Sequence, residues 1–446
     1  MLRSKAIPTG NPATATVMHR KPSLDFSVTG LVYCSMMMFM GLAAINTQAN
    51  LLFGVFGLMI GVLLVSGIIS RWVLRHVTVR RLVPEYAAVG SRVRISYHID
   101  NRKRWWPTLS VTISELDAPG AFDRQPHAYV MHTAAGMQAT VHAEVVPLRR
   151  GLHKLERFQV STSFPFGFIK RALIRRHADT ILIHPAQGVV EPRALSRFYA
   201  AESSGINQRP REGGNDEFYG AREYRPGDPM RMIHWRRSAR TMATRTPTNP
   251  GGTLVVKQMT RVAPPRLMLL IDTYAPAYSG PKLTRKPSPE EQVARGLHQQ
   301  RLEDVERNLA AAASLLSAAT KRGLSVGLVA WDGQRWLDVA PEGGKRHRRD
   351  LLALLAGMRR NREQDTTALL ARGLPRATGD TTAVLISAGR ADRQAASDGN
   401  GSASTGGRAR IRRNLVVVST QPAELARWVR FDPELDFHAM IREESA

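Results

Sequence analysis

The sequence predicts a multidomain chain: a transmembrane helical hairpin, an antiparallel β-sandwich-like domain, and an α/β domain with a mainly parallel sheet. Three observations carry this. An uncharged apolar stretch runs from Phe26 to Ser70. Short alternating segments follow it to about residue 190. Beyond residue 263, continuous apolar runs alternate with helical patterns. The 446 residues, 43% of them apolar, suffice for several packed cores.

The apolar stretch is too long for one membrane helix, which needs about 20 residues. It breaks at Asn46-Thr47-Gln48-Ala49-Asn50, which leaves spans at about 28–46 and 51–70 within a 26–76 anchor. Gly54, Gly57 and Gly61 recur at helical spacing on the second span and are expected to let the helices approach closely. Arg3, Lys5, Arg20 and Lys21 flank one end, and Arg71, Arg75, Arg80 and Arg81 the other. The turn between the spans has no charge, so the positive-inside rule places both termini and the soluble domains in the cytoplasm of a two-pass plasma-membrane protein. Residues 1–25 form the N-terminal tail. No cleavage-site pattern follows the apolar region, which argues against a signal peptide.

Residues 77–190 are β-rich. VTVRRL, RVRISYHID, LSVTIS, ATVHAEVV and TILIHP alternate or carry β-branched residues between turn signals. The Arg-rich first strand is expected against the membrane surface. Trp105-Trp106, before Pro107, is expected to close one end of the sandwich, with lipid headgroup contact as the alternative.

Residues 263–446 give the α/β domain. RLMLLID, SVGLVAWD, AVLISA and NLVVVST read as strands. Residues 302–322, 350–360 and 422–429 read as helices, the first capped by Gly323. Polar segments at 277–292 and 390–412 read as mobile loops.

The net charge of +26 fits a solvated basic surface or one near anionic lipid. One cysteine excludes an internal disulfide framework and a thiolate zinc cluster. There is no phosphate-binding loop of the GxxxxGK[ST] type, no HExxH and no CxxC. GLSVG at 323–327 matches a nucleophile-elbow pattern, but Ser325 opens a strand after a helix, the reverse of the order an elbow needs. No small-molecule substrate is identifiable.

Residues 213–240, GGNDEFYGAREYRPGDPMRMIHWRRSAR, lie in the remaining region, 191–262. They read as a strand, a Pro226-Gly227 corner, an Asp228 N-cap and a helix from Pro229. The acids Asp216, Glu217, Glu223 and Asp228 are expected to pair with Arg222, Arg225, Arg231, Arg236 and Arg237, fixing an interdomain junction that also presents a docking surface. Interleaved acids argue against nucleic-acid binding. The alternative is a metal-dependent or hydrolase-like enzyme using this region, with His234 paired to Asp228 or Glu217, or using the loop at Asp272.

This stretch closely resembles the signature of the bacterial domain of unknown function 58 family, through Gly214, Glu217, Phe218, Gly220, Arg222, Glu223, Tyr224, Pro226, Gly227, Asp228, Arg231, Ile233, His234, Trp235, Ser238, Ala239 and Arg240. Phe164-Pro165-Phe166-Gly167-Phe168 matches the end of that family's β domain. The resemblance implies a von Willebrand A-like C-terminal domain. It implies a MoxR-type AAA+ ATPase as partner, in assembly or envelope-related processes, with membrane lipid around the anchor. It names no catalytic residues. Two departures stand out. The segment after the signature reads LVVKQMT rather than the acidic family pattern. The metal loop of von Willebrand A-like domains uses Asp-x-Ser-x-Ser, whereas Asp272-Thr273-Tyr274-Ala275-Pro276 has Tyr274 and Pro276 at the serine positions. Asp272 is therefore a degenerate metal position, and Mg²⁺ is not expected there.

Overall fold

The computed structural model describes residues 23–118, 120–194, 196, 212–243, 254–260, 266–276, 289–363, 365–377, 381–389 and 415–441. The chain divides into two compact units. One holds residues 1–187 with 352–358 and 431–446; the other holds 188–351 with 359–430.

The first unit opens with strand β1 (Ser23–Phe26) and two long helices, α1 (Val28–Thr47) and α2 (Asn50–Leu74). Both are long and apolar enough to cross a membrane. Leu31, Met38, Leu42, Leu51, Leu58 and Leu64 are exposed along them. Contiguous apolar surface of this size suits lipid rather than water. The glycines of α2 do not mediate the close approach. A side chain at Gly54, Gly57 or Gly61 would meet nothing, whereas Gly41 of α1 lies under the ring of Phe56. The small residue that matters is the one facing a large partner, and sequence spacing alone does not reveal it.

Eight strands follow: β2 (Val77–Leu82), β3 (Tyr86–Ala88), β4 (Val93–Asn101), β5 (Thr108–Glu115), β6 (His127–Thr133), β7 (Gln138–Val145), β8 (Gly151–Thr162) and β9 (Ile169–His184). One sheet runs β2-β4-β7; the other runs β1-β9-β8-β5-β6, with β3 parallel to β9. The alternation of β4 buries Val93, Ile95, Tyr97 and Ile99. Tyr97 meets Phe158 of the other sheet at 6.3 Å between ring centroids.

The same alternation carries Arg81 into the core. It does not lie at the membrane surface, as its basic strand suggests; the residue is 3% exposed. Arg81 Nη1 donates to Glu115 Oε2 (2.5 Å), Nε to Asp179 Oδ2 (2.7 Å), and Nη2 to the carbonyls of Leu155 and His177. Tyr97 Oη donates to the other Glu115 oxygen (2.7 Å). Burial pushes the Glu115 carboxyl above its ordinary range, and Arg81 pulls it back. With its partners supplied, the arginine tolerates a site closed to water.

The second unit contains β10 (Val189–Val190), β11 (Glu212–Glu223), α3 (Trp235–Ala243), β12 (Val255–Thr260), β13 (Arg266–Ile271), α4 (Pro289–Lys321), β14 (Ser325–Trp331) and β15 (Trp336–Glu342). Helix α5 (Lys345–Gly357) has its residues to Leu351 in this unit, which continues with α6 (Thr366–Gly373), β16 (Thr381–Ser387), β17 (Leu415–Ser419), α7 (Pro422–Leu425) and β18 (Val429–Arg430). Its main sheet has the order β15-β14-β13-β16-β17. All neighbours in it are parallel except the antiparallel edge strand β15. Four successive alanines of α4, Ala310 to Ala313, are buried together with Leu309, Leu315 and Leu316.

Several boundaries differ from expectation, among them the helix expected at 350–360, which runs Lys345–Gly357. Helix α4 begins at Pro289, so residues 289–292 belong to it rather than to a loop; proline's fixed φ suits a first helical turn. The rest of the expected loops, 277–288 and 390–412, lies outside the described residues. The last helix stops at Leu425 rather than 429, because Val429 pairs with Val190 as β18 against β10. At the N-terminus, Ser23–Phe26 is a strand on β9 rather than tail.

Candidate functional site

The signature is built on the antiparallel pair β11 and β12, joined in register from Gly220↔Gln258 to Glu223↔Val255, with a register shift between Phe218 and Gly220. Tyr224 N–H extends the ladder to Leu254 O (2.7 Å). The chain then turns at Arg225–Asp228. Gly227 has φ +106°, a conformation that favours glycine. Asp228 closes this turn from both sides. Its oxygens accept a two-pronged pair from Arg222 Nη1 and Nη2 (2.7 Å each), and Oδ2 also accepts from Arg225 N–H (2.9 Å). The Arg222 hydrogen bonds hold the Asp228 carboxyl below its ordinary value.

Asp228 is therefore not the cap of a helix starting at Pro229. Residues Met230–Met232 make a single 3₁₀ turn, and Ile233 returns to extended backbone. Ile233 is buried and bridges to Val256, and His234 N–H donates to Val255 O (2.7 Å). This pull toward β12 breaks the expected continuous helix, and α3 starts at Trp235. Ser238 fastens α3 to the same strand: it is 1% exposed, and its Oγ accepts from Val255 N–H (2.8 Å).

The arrangement separates the expected site residues into two groups. Arg222 and Asp228 pair, and Ile233 and Ser238 anchor. Glu223, Arg225, Arg231, Trp235, Arg236, Arg237 and Arg240 are exposed. The expected wholesale pairing of charges does not form: the side chains of Glu223, Arg225, Arg231, Arg236 and Arg237 make no ion pair among the described residues. Tyr224 and His234 are half-buried. His234 Nδ1 faces Arg237 N–H at 3.4 Å. Asp228 is already committed to Arg222, so the two do not form an acid–base pair. The side chain of Glu217 lies outside the described residues; its backbone pairs with Thr260. Trp235 is 64% exposed and Met230 74%, which sets large apolar groups among the arginines.

The second candidate is Asp272, at the carboxyl end of β13, where the strand order reverses between β14 and β16. Ligands favour such switch points. Two residues that sequence reading missed meet it there. Thr366 Oγ1 and Ser387 Oγ both donate to Asp272 Oδ2, at 3.1 and 2.8 Å. Oδ1 accepts from Tyr274 N–H (2.9 Å), and Asn308 Nδ2 donates to Asp272 O (2.7 Å). Asn308 in turn accepts from Thr420. Only the fold brings these distant hydroxyls together. Asp365, beside the same shallow depression, caps α6 through Ala368 N–H. These residues do not fit a Mg²⁺ site. Tyr274 and Pro276 stand at the serine positions of the metal loop, where proline offers no side-chain oxygen, and no group of three His, Cys, Asp or Glu gathers among the described residues. Ser325 stands at the start of β14, just after the Gly323 turn (φ +84°), so GLSVG forms no nucleophile elbow.

No family model matches the chain, and no curated protein matches it. Solved structures match it with low identity and low TM-scores. A beta-glucosidase from Listeria innocua is 12% identical, over 24% of this chain and 16% of its own, with a TM-score of 0.16. The sporulation control protein Spo0M from Bacillus subtilis is 9% identical over 31% of this chain and 58% of its own, with a TM-score of 0.16. A GH20 exo beta-N-acetylglucosaminidase from Vibrio harveyi is 8% identical over 70% and 57%, with a TM-score of 0.14. The chain spans less than two thirds of each, and similarity this low carries no functional argument.

Proposed function

We propose that the chain is a membrane-anchored adaptor or scaffold of the domain of unknown function 58 type, working with a MoxR-type AAA+ ATPase in assembly or envelope-related processes. In this reading α1 and α2 cross the plasma membrane with both termini and the soluble regions in the cytoplasm. The β-rich region is a sandwich, and the α/β unit is von Willebrand A-like with a metal-independent crest at Asp272.

The observation that carries the proposal is the signature's division of labour. Its internal ties are few and satisfied: Arg222 to Asp228, and Ser238 and Ile233 to β12. The remaining arginines, with Trp235 and Met230, face outward. Exposed Trp and Arg are the residue types that anchor protein interfaces. A rigid platform presenting them suits a partner better than it suits chemistry.

The test is affinity capture from gently solubilised native membranes, with Arg225→Ala and His234→Ala in parallel. An AAA+ ATPase identified with the wild type and lost in equally well-folded variants supports the adaptor. Equal recovery with every variant, or no ATPase at all, contradicts it.

A further inference from the structure

The loop between β4 and β5, Arg102-Lys103-Arg104-Trp105-Trp106-Pro107, is fastened to the end of α2. Lys103 Nζ donates to two carbonyls at the helix end, Trp72 O (3.3 Å), which also accepts from Arg75 N–H, and Val73 O (2.6 Å), and to Thr108 Oγ1 (2.8 Å). Trp106 packs edge-on against Trp72 at 5.8 Å. Asn101 holds the loop from below, donating to the carbonyls of Trp106, Thr133 and Ala134. The loop's position relative to the apolar helix is thus fixed by both its base and its middle.

Its tip nevertheless buries little. Trp105 is 79% exposed and Trp106 49%, so the pair does not close the end of the β sheets, as first expected. The Arg104 guanidinium lies 5.4 Å from the Trp105 ring. Arg71, Arg75, Arg102 and Arg104 are all exposed. Asp100 is the neighbouring acid, and Arg102 pairs with it at 3.0 Å. At the start of α1 a second loop does the same. Ser27 N–H donates to Phe168 O (3.0 Å), Phe168 stacks on Tyr33 at 4.1 Å, and Phe166 and Phe26 are exposed beside them. Exposed indoles and cations thus ring the end of α2, and exposed phenylalanines the start of α1. Indoles concentrate at the headgroup level of a bilayer, and arginines there gain from anionic lipid.

We propose that the 102–107 loop is an interfacial anchor. Trp105 and Trp106 sit in the headgroup layer, and Arg102 and Arg104 contact anionic phospholipid phosphates. The loop thereby holds the β-rich unit in a fixed pose on the membrane. The inference rests on the reading that α1 and α2 cross a bilayer.

The test places a nitroxide on single cysteines in full-length Cys34→Ser protein, reconstituted in lipid nanodiscs. The sites are Trp105→Cys, Leu42→Cys on α1, and Leu152→Cys at the opposite end of β8. Collision with oxygen and with a water-soluble nickel chelate reads the depth of each. The expected result is a label at 105 that loses nickel accessibility relative to 152, more so in discs containing phosphatidylglycerol than in pure phosphatidylcholine, with 42 deep in both. A label at 105 as nickel-accessible as that at 152, with 42 deep, overturns the anchor. Equal shielding at 105 in the two lipids overturns its anionic preference. A nickel-accessible label at 42 overturns the membrane-spanning reading, and the anchor with it.

Discussion

Arginine serves opposite ends in two regions of this chain. In the β-rich unit, Arg81 is sealed from water and spends its donors on Glu115, Asp179 and two carbonyls. In the signature, Arg225, Arg231, Arg236 and Arg237 are exposed and make no ion pair among the described residues. By sequence the expectation runs the other way, because the signature interleaves acids with its arginines whereas VTVRRL has none. Charge density along a chain does not reveal whether a charge is structural. The partners of Arg81 come from strands far along the sequence, and the fold alone brings them close.

The largest effect should come from breaking the buried cluster. Arg81→Leu leaves Glu115 and Asp179 without their cation and should cost about 3–5 kcal/mol of stability, read by urea denaturation. A smaller effect is expected at the signature's hidden anchor. Ser238→Ala removes the acceptor of Val255 N–H inside a dry contact, which costs about 1–3 kcal/mol. It should free α3 from β12, seen as faster amide exchange at residues 235–243.

The Arg222–Asp228 clamp supplies a pH test. Asp228 is held below its ordinary value, so its stabilisation is complete above the unfolded carboxylate value of about 3.9 and is lost as pH falls through the lower native value. Amide exchange across 222–228 should accelerate in that acid window, and Asp228→Asn should abolish the step. At Asp272, Mg²⁺ or EDTA should leave the melting temperature unchanged. A Mg²⁺-dependent rise that Asp272→Ala removes would contradict the misfit described above.

Much of the fold was legible because local pattern and burial agree. The alternation of β4, the apolar runs of β13 and β14 and the alanine face of α4 all read correctly. Strands β6 and β8 and the edge strand β15 were missed. Their exposed faces carry charges and histidines, and they owe their strand state to long-range pairing. The signature's strand, corner and helix were legible as types, but the break at Ile233 was not. It depends on a bridge to Val256 of β12, which no local pattern announces. Similarly, Asp272 was found by its place at a strand end, while Thr366 and Ser387 carry no local signal at all.

The smallest stability effect and the largest functional one should coincide on the exposed arginines. Replacing Arg231, Arg236 and Arg237 together with alanine should change stability by no more than about 0.5 kcal/mol per site. The most direct measurement is binding of a purified MoxR-type ATPase from the same cell to the full-length chain in nanodiscs. Wild type would be compared with this triple variant and with Arg94→Ala, an exposed arginine of the β-rich unit. The account predicts that wild type and Arg94→Ala bind and that the triple variant does not. Equal binding by the triple variant, or none by the wild type, would contradict it.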